Sequence, residues 1–333
     1  MSIKSKVLGK PGHDNSLFIK IDTGQNIIRI LLDTGANCLW QLDRNEIANV
    51  DHVLYSHFHM DHICGFDSMF RLCFNRPTPL HFWGPKDTIK VIHNRARGYT
   101  WNLVDNNPSH FFINEISEGK IRTVRCNLNN GFEELIEIDN KEFENNALFE
   151  DSDVKIEGAI LDHKIDCMAY AITEKSKENI NIEMIHELGL TAGPWCKELK
   201  NQLTGKLIID EKEYEISELR KKVLTSSISK TIGYITDVIY NDQMVKNLKP
   251  ILEEANEVIM ECAYKDEEMN LANKHHHMTA SQVSQFAKEL NINQLTLFHI
   301  SDRYPAATRV EFLEKAVSIF PNTRYPDHWN ISL

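Results

Sequence analysis

The stretch SHFHMDHICG, residues 56–65, limits what this chain can fold into more than any other segment. Within six positions it carries three histidines and one aspartate, directly after the apolar run of residues 53–55. These four residues are His57, His59, Asp61 and His62. A buried strand that ends in such a loop presents several metal-binding side chains at one edge of a sheet, so the segment predicts a metal site on a layered α/β scaffold.

The spacing within this loop suits two metal ions better than one. His57 and His59 lie two positions apart and can turn to the same side, whereas Asp61 and His62 are adjacent and diverge towards a second point. Zinc accepts both imidazole nitrogen and carboxylate oxygen, and a catalytic zinc keeps one position open for water. A surface loop with chance histidines is the alternative, but four such residues after a buried strand favour a metal site.

Two metals need further ligands, including a carboxylate that both can share, and three later strand ends supply candidates. They are His163 after KIEGAILD, Asp237 after KTIGYIT and His299 after QLTLF. Singly, residues of this kind at strand ends are mostly satisfied surface or core groups. Together they complete a site for two metals.

Composition narrows the class of protein. The seven cysteines are dispersed and never spaced as CxxC, which argues against a disulfide framework and against a thiolate zinc site. The formal net charge of −11 makes nucleic acid an unexpected partner unless a basic face compensates. The N-terminus has no apolar stretch of signal-peptide length, and no segment approaches the roughly 20 apolar residues of a membrane span. These features predict a soluble cytoplasmic protein.

The order of apolar runs predicts two sheets with helices outside them. Short alternating strands fill most of residues 16–175, and β and α patterns alternate from residue 230 onwards. With no internal repeat or low-complexity linker, we expect residues 1–333 to form a single domain. Residues 176–226 interrupt the pattern and are predicted to be an insertion, serving as a lid, an arm or a dimer contact.

Several motifs resemble those of one family. HFHMDH fits the HxHxDH signature of the metallo-β-lactamase superfamily, and later segments resemble its ribonuclease Z branch. The matching segments, in chain order, are ELGLTAGPWCKELK, GYITDV, IMECAYKDE, HHHMTASQ and LFHISDRY.

The resemblance implies an αββα four-layer sandwich that holds two Zn²⁺ per chain, with Mn²⁺ or Fe as alternatives. It implies that His57, His59 and His163 hold one metal and that Asp61, His62 and His299 hold the other. Asp237 would bridge the two metals, and Asp33 would orient ligand histidines from outside. The family also implies a homodimer that acts on RNA, as an endonuclease at the 3′ end of precursor tRNA.

Two further residues and one metal ligand take chemical roles in this interpretation. His277 would donate a proton to the leaving oxygen, supported by Glu261, and Asp61 would orient the attacking water besides binding metal. The adjacent His275 and His276 could in principle replace His277. In the closing motif, Ser301 and Arg303 are candidate phosphate contacts, while a role for Arg303 in bracing the loop is an equal alternative.

The sequence also departs from the family. It lacks the Pro-x-Lys-x-Arg-Asn loop near the N-terminus, and Met60 stands where glycine is usual, which is expected to reshape the opening to the site. Residues 176–222 hold eight Lys and Arg against nine Asp and Glu, too little positive charge for an RNA-binding arm unless folding gathers the basic residues on one side. A phosphodiesterase for a cyclic nucleotide or a related small phosphodiester is therefore the second hypothesis, and a non-catalytic protein that binds zinc or a nucleotide is the third.

Overall fold

The alternating runs of the first part of the chain form an eight-stranded sheet whose strands lie side by side in chain order. The computed structural model describes residues 2–104 and 107–333. The strands of this sheet are β1 (Ser2–Gly9), β2 (Asn15–Asp22), β3 (Ile27–Leu32), β4 (His52–Leu54), β5 (Leu80–Gly84), β6 (His110–Ser117), β7 (Lys120–Asn127) and β8 (Ile136–Glu142). Strands β3 to β6 run parallel, and the outer strands on both sides are antiparallel.

Four α-helices connect these strands: α1 (Arg44–Ala48), α2 (Met60–Ile63), α3 (Phe66–Phe70) and α4 (Thr88–Arg97). The short α2 begins inside the histidine-rich loop. The loop packs closely on the turn after β3, since a Cβ at Gly35 would lie 3.0 Å from the carbonyl oxygen of Asp61. Glycine at this position therefore allows the metal-site loop to approach the end of β3.

Three antiparallel strands begin a second sheet: β9 (Ala147–Glu150), β10 (Val154–Asp162) and β11 (Asp166–Glu174). The β10–β11 register runs from Val154 opposite Glu174 to Asp162 opposite Asp166. This register places His163 in the tight turn between the two strands.

Residues 175–230 form a compact unit of their own. It contains the strand pairs β12 (Glu178–Ile180) with β15 (Leu224–Ser226) and β13 (Lys206–Ile209) with β14 (Lys212–Glu215). Its helices are α5 (Ile182–Glu187), α6 (Trp195–Asn201) and α7 (Ile216–Val223). A separate small core, including Ile185, Leu199 and Leu219, lies inside this unit.

The chain then completes the second sheet with four parallel strands. They are β16 (Lys230–Ile235), β17 (Glu257–Glu261), β18 (Leu295–Phe298) and β19 (Thr323–Arg324). The whole sheet has seven strands in the order β19-β18-β17-β16-β11-β10-β9. The helices of this part are α8 (Asp242–Leu252), α9 (Met269–His275), α10 (Ala280–Glu289) and α11 (Arg309–Ile319).

Two apolar cores separate the layers of the unit formed by residues 1–174 and 231–333. Because side chains alternate along a strand, Leu31 and Val53 face a core shared with α3 and α4, whereas Leu32 and Leu54 face the other core. This second core contains the second sheet together with α8, α10 and α11. The order of layers is helix, sheet, sheet, helix, so the predicted αββα sandwich is confirmed. Within the described residues, every helix is too short or too polar to cross a membrane.

Candidate metal centre

The ends of five strands bring polar side chains to one place. Asp33 follows β3, His57 follows β4, Asp237 follows β16, Glu261 ends β17 and His299 follows β18. The carboxyl ends of parallel strands lie at the same edge of a sheet, where α/β proteins bind their ligands. The fold therefore gathers residues that are more than two hundred positions apart in the sequence.

Three of these residues have backbones in the left-handed region. The φ angles are 54° for Asp33, 46° for Asp237 and 49° for His299. For a residue other than glycine this conformation costs roughly 1–2 kcal/mol. Such strain persists where the surrounding structure imposes it, and it gathers at functional sites.

Two groups of potential metal ligands meet at Asp237. Within each group the ligand atoms lie within 4.8 Å of one another. One group is His57, His59, His163 and Asp237, and the other is Asp61, His62, Asp237 and His299. Asp237 Oδ2 lies 3.6 Å from His163 Nε2, and Asp237 Oδ1 lies 3.0 Å from His299 Nε2. The structure thus brings together the seven residues that the sequence suggested, with Asp237 in both groups.

Hydrogen bonds to the second ring nitrogen fix the orientation of these histidines. His62 Nδ1 donates to Asp33 Oδ2 at 2.8 Å, and His163 Nδ1 donates to the carbonyl of His276 at 2.8 Å. His57 Nδ1 lies 3.0 Å from Ser56 Oγ. In each ring, Nε2 is left to face the centre of the site. This is the arrangement in which outer partners set the tautomer of a metal-binding histidine.

The Nε2 atoms of His57 and His62 are buried and make no hydrogen bond of good geometry among the described residues, although His62 Nε2 lies 3.2 Å from Asp61 Oδ2. Buried polar atoms almost always have a partner, so two such atoms side by side require an explanation. A metal ion would use both lone pairs, and a set of imidazoles and carboxylates is one that zinc and similar ions accept. The residues present therefore fit a divalent metal.

The charges of the site follow from burial and from its carboxylates. Burial lowers the pKa of His57 far below its usual range, reinforced by the neighbouring His62. Burial would also lower the pKa of His62, but the carboxylates of Asp237 and Asp33 raise it well above the usual value. Burial works against ionisation of Asp237, yet His299 and His62 hold the pKa of its carboxyl well below normal. The site thus keeps a buried negative charge at its centre.

His277 lies beside this centre and is paired with Glu261. Its Nδ1 lies 2.7 Å from Glu261 Oε2, while Glu261 Oε1 accepts from the backbone N–H of Val238 at 2.8 Å. Burial lowers the pKa of His277, but the Glu261 carboxylate outweighs it and raises the pKa to about 9. Although Asp237, Glu261 and His277 are also close enough to hold an ion, both oxygens of Glu261 are already hydrogen-bonded.

The neighbours of His277 are engaged elsewhere. His275 Nδ1 lies 2.8 Å from the Tyr264 hydroxyl, and His276 Nδ1 lies 3.2 Å from Asp162 Oδ1. Of the three consecutive histidines, which the structure describes in full, His277 alone reaches both Glu261 and the cleft next to the metal groups.

Two clefts border the candidate metal centre. Cleft A has a volume of about 300 Å³, and Asp61, His277, His299 and Ser301 are among its lining residues. Cleft B has a volume of about 580 Å³, and His59 is among its lining residues. Both volumes are of the order found for small-molecule sites.

The remaining predicted residues occupy different positions around the clefts. Ser301 lines cleft A. Arg303 lies 3.6 Å from Glu268 and 5.1 Å above the ring of Tyr264, and it does not line cleft A as the structure describes it. Its contact with phosphate stays a prediction. Met60 is 75% exposed and is not among the described residues that line either cleft, and its effect on the opening stays a prediction.

The sequence interpretation missed three groups that hold the site together. Ser56 donates to Asp33 from both its backbone N–H and its hydroxyl, each at 2.7 Å. The Tyr234 hydroxyl donates to Asp33 Oδ2 at 2.8 Å. The third group is the carbonyl of His276 described above. Ser56 could have been suspected from its place directly before His57, whereas a backbone carbonyl leaves no trace in the sequence.

The sequence and the fold both have known relatives. The sequence model of the beta-lactamase superfamily domain matches residues 28–128. The ribonuclease Z of Deinococcus radiodurans is 31% identical over 328 residues, which cover 98% of each chain. The ribonuclease Z of Enterococcus faecalis is 24% identical over 299 residues, which cover 88% of this chain and 83% of that one.

Solved structures agree on the fold. The metallo-beta-lactamase fold protein YhfI from Bacillus subtilis has a TM-score of 0.57 at 15% identity, covering 97% of this chain and 95% of its own. The short form of human tRNase Z has a TM-score of 0.52 at 17% identity, covering 91% of this chain and 94% of its own. These solved structures show the metallo-β-lactamase fold. The match to the Deinococcus radiodurans enzyme along 98% of each sequence shows that the chain belongs to the ribonuclease Z family of metal-dependent, endoribonuclease-like hydrolases.

Proposed function

We propose that this protein is a two-zinc phosphodiesterase that cuts precursor tRNA near its 3′ end. The observation that supports the proposal most directly is the meeting of two ligand groups at Asp237, with the His277–Glu261 pair beside them. A protein that only stores zinc has no need for a half-buried proton donor next to the metals.

The metal ligands in this proposal are the two groups described above. His57, His59 and His163 would hold one ion, Asp61, His62 and His299 the other, and Asp237 both. When bound, two zinc ions lower the pKa of a water molecule and offset the negative charge that develops on a phosphoryl oxygen. Manganese or iron could replace zinc on the same donors.

The chain's own residues supply the rest of the chemistry. The Asp61 side chain is 43% exposed and lines cleft A, so its carboxylate can orient the water that attacks phosphorus. As the new oxygen–phosphorus bond forms, the attacking water releases one proton to solvent, the bond from phosphorus to the leaving oxygen breaks, and that oxygen needs a proton. His277, held by Glu261, lines the same cleft and donates it. Ser301 borders this cleft and can hydrogen-bond a phosphate oxygen.

Similarity to ribonuclease Z along almost the entire chain supports RNA as the substrate. One observation favours the second candidate, a small phosphodiester such as a cyclic nucleotide. In the unit of residues 175–230, Arg220 donates to the carbonyls of Leu199 and Gln202 and contacts Glu178, and Lys221 lies 2.9 Å from Glu218. Arg220 is thus engaged inside the unit and contributes little to holding a polyanion, whereas the exposed pair of Lys221 with Glu218 is weak.

The proposal includes the insertion, residues 176–226, as an arm or dimer contact of a homodimer within an otherwise single hydrolase domain. Its own core and the exposed side chains of Leu203 and Ile208, 71% and 74% exposed, support a separate contact function.

Thr173 and Thr231 flank the insertion with hydroxyls 2.9 Å apart, so a short linker can replace residues 175–229. We expect this deletion to spare hydrolysis of bis(p-nitrophenyl) phosphate and to weaken binding of precursor tRNA.

The experiment that tests the proposal is a side-by-side assay of precursor tRNA and a panel of cyclic nucleotides at two salt concentrations. We expect cleavage of precursor tRNA with a KM that rises with salt, because phosphate contacts release counterions. Faster turnover of a cyclic nucleotide, with little salt dependence, would instead establish the second candidate. Activity on neither substrate class would contradict both.

A further inference from the structure

Cleft B borders the candidate metal centre at His59, yet the proposed chemistry leaves it without a role. His59 belongs both to its lining and to the first ligand group. A group bound in cleft B therefore lies next to the phosphate that the metals would hold. Its volume of about 580 Å³ is ample for a nucleotide.

The walls of cleft B have the chemistry of a nucleotide site. Phe58 and Val91 are half-buried and Ile165 is 45% exposed, so the cleft offers apolar surface to the flat face of a base. Lys86 and Lys90 add two exposed ammonium groups to the same lining.

The two lysines can respond to a phosphate. Lys90 Nζ lies 3.8 Å from Asp87, and both side chains are largely exposed, so the pair is weak. Lys86 forms no ion pair within residues 2–104 and 107–333. The carboxylates of Asp87 and Asp166 also line the cleft. Their negative charge weakens the attraction of cleft B for polyanions in general. A single phosphate placed at the two lysines can still bind.

The two clefts differ in their access to the proton donor. His277 lines cleft A, so cleft A takes the part of the substrate that departs with the leaving oxygen. His277 is absent from the described lining of cleft B. We propose that cleft B binds the nucleotide that keeps the phosphate after cleavage, with its base against Phe58, Val91 and Ile165 and its next phosphate at Lys86 and Lys90. This assignment rests on the proposed phosphodiesterase function.

Two small ligands test this site without turnover. Uridine 5′-monophosphate offers one phosphate to the metals and its base to cleft B, and uridine 3′,5′-bisphosphate adds the phosphate that would reach the lysines. Neither contains a phosphodiester bond. By calorimetry on the zinc-loaded protein we expect the bisphosphate to bind about three- to tenfold more tightly, as two solvent-exposed ion pairs allow.

Three variants separate the lysine contacts from general charge effects. The double variant Lys86→Glu/Lys90→Glu should bind the bisphosphate no more tightly than the monophosphate. Ile165→Ser should weaken both ligands by the same factor. The control Lys246→Glu, at an exposed lysine of α8 outside both clefts, should keep the wild-type ratio of affinities. An unchanged ratio in the double variant, or an equal change in Lys246→Glu, would overturn the proposal.

A kinetic comparison distinguishes failure of this site from failure of the proposed function. Thymidine 5′-p-nitrophenyl phosphate and methyl p-nitrophenyl phosphate share a leaving group and differ in the part that keeps the phosphate. We expect Ile165→Ser to raise KM for the nucleotide ester alone, with kcat unchanged. Equal effects on both esters would contradict the assignment of cleft B. Hydrolysis of neither ester by the wild type would contradict the phosphodiesterase function itself, and the affinity ratio would still test cleft B.

Discussion

Strand β4 begins with one buried histidine and is followed by another, and the two have opposite surroundings. His52 accepts a hydrogen bond from Trp83 Nε1 at 3.2 Å and packs on Phe149, with ring centroids 4.6 Å apart. Burial, with smaller effects from His81 and Arg76, lowers its pKa to about 3. His57 is equally buried, but its Nε2 lies 3.7 Å from Asp237 Oδ2.

The contrast shows what turns buried histidines into a candidate metal centre. Around His52 and His81 the neighbours are aromatic rings and one arginine, so neutral imidazoles serve as packing groups. Around His57, carboxylates from several strand ends supply the negative charge that cations need. Burial is shared by both histidines, whereas converging carboxylates distinguish the site.

The largest expected effect comes from removing the shared carboxylate. Asp237→Ala should lower phosphodiesterase turnover by about a thousandfold or more, since several kcal/mol of transition-state stabilisation depends on correctly placed metals. The matched change at the other end of β4, His52→Gln, should alter kcat/KM by less than about threefold. Comparable losses in the two variants would show that the contrast between the sites is unfounded.

A smaller and more selective effect is expected at the proton donor. His277→Ala should lower cleavage of an RNA phosphodiester by about 10²–10⁴-fold, because the departing alkoxide needs a proton. Hydrolysis of bis(p-nitrophenyl) phosphate should change little, because nitrophenolate leaves without one. His275→Ala is the control, since His275 is bonded to Tyr264 instead of Glu261. Equal losses on both substrates would contradict the role of His277.

The protonation of His277 predicts how the rate of RNA cleavage depends on pH. Glu261 raises the pKa of His277 to about 9, so the ring carries its proton at neutral pH and loses it as the pH rises through about 9. Cleavage of RNA should therefore fall above pH 9, and Glu261→Gln should move this alkaline limb to lower pH. Rate profiles for RNA and for bis(p-nitrophenyl) phosphate check the prediction, and an unmoved limb in Glu261→Gln would count against the pairing.

The smallest effect concerns stability at the other end of β4. The pKa of His52 is lowered from 6.5 to about 3, so the unfolded chain takes up the proton first as the pH falls. The contribution of neutral His52 to the free energy of unfolding is fully present above pH 6.5. It decreases as the pH falls towards 3, by up to about 1.4 kcal/mol per pH unit. His52→Gln should flatten this dependence in urea denaturation between pH 7 and 5. The exposed His186→Gln should leave it unchanged, and a flattening of the same size there would remove the assignment to His52.

Much of the fold and of the ligand set was accessible from the sequence, because the relevant signals are local. Apolar runs ending in His57, His163, Asp237 and His299 mark strand ends, and strand ends of parallel sheets meet at one edge. The layer order followed from the alternation of β and α patterns in the last third of the chain.

What the sequence did not reveal depends on long-range packing. The carbonyl that orients His163 could come from any residue, and only the folded chain places that of His276 there. The lining of cleft B combines residues of α4 with residues of the turn after β10. No sequence pattern predicts that Lys86 and Ile165 lie at the same cleft. The first strand and the three-residue pair of β12 with β15 were also missed, since strands that short or that polar give a weak pattern.

The metal content of the purified protein tests the central proposal most directly. Elemental analysis of the wild type should give two zinc, manganese or iron ions per chain, and Asp237→Ala should lose metal while His52→Gln keeps both. A value of zero or one metal per chain, together with unchanged activity in His57→Ala, would contradict the two-metal centre.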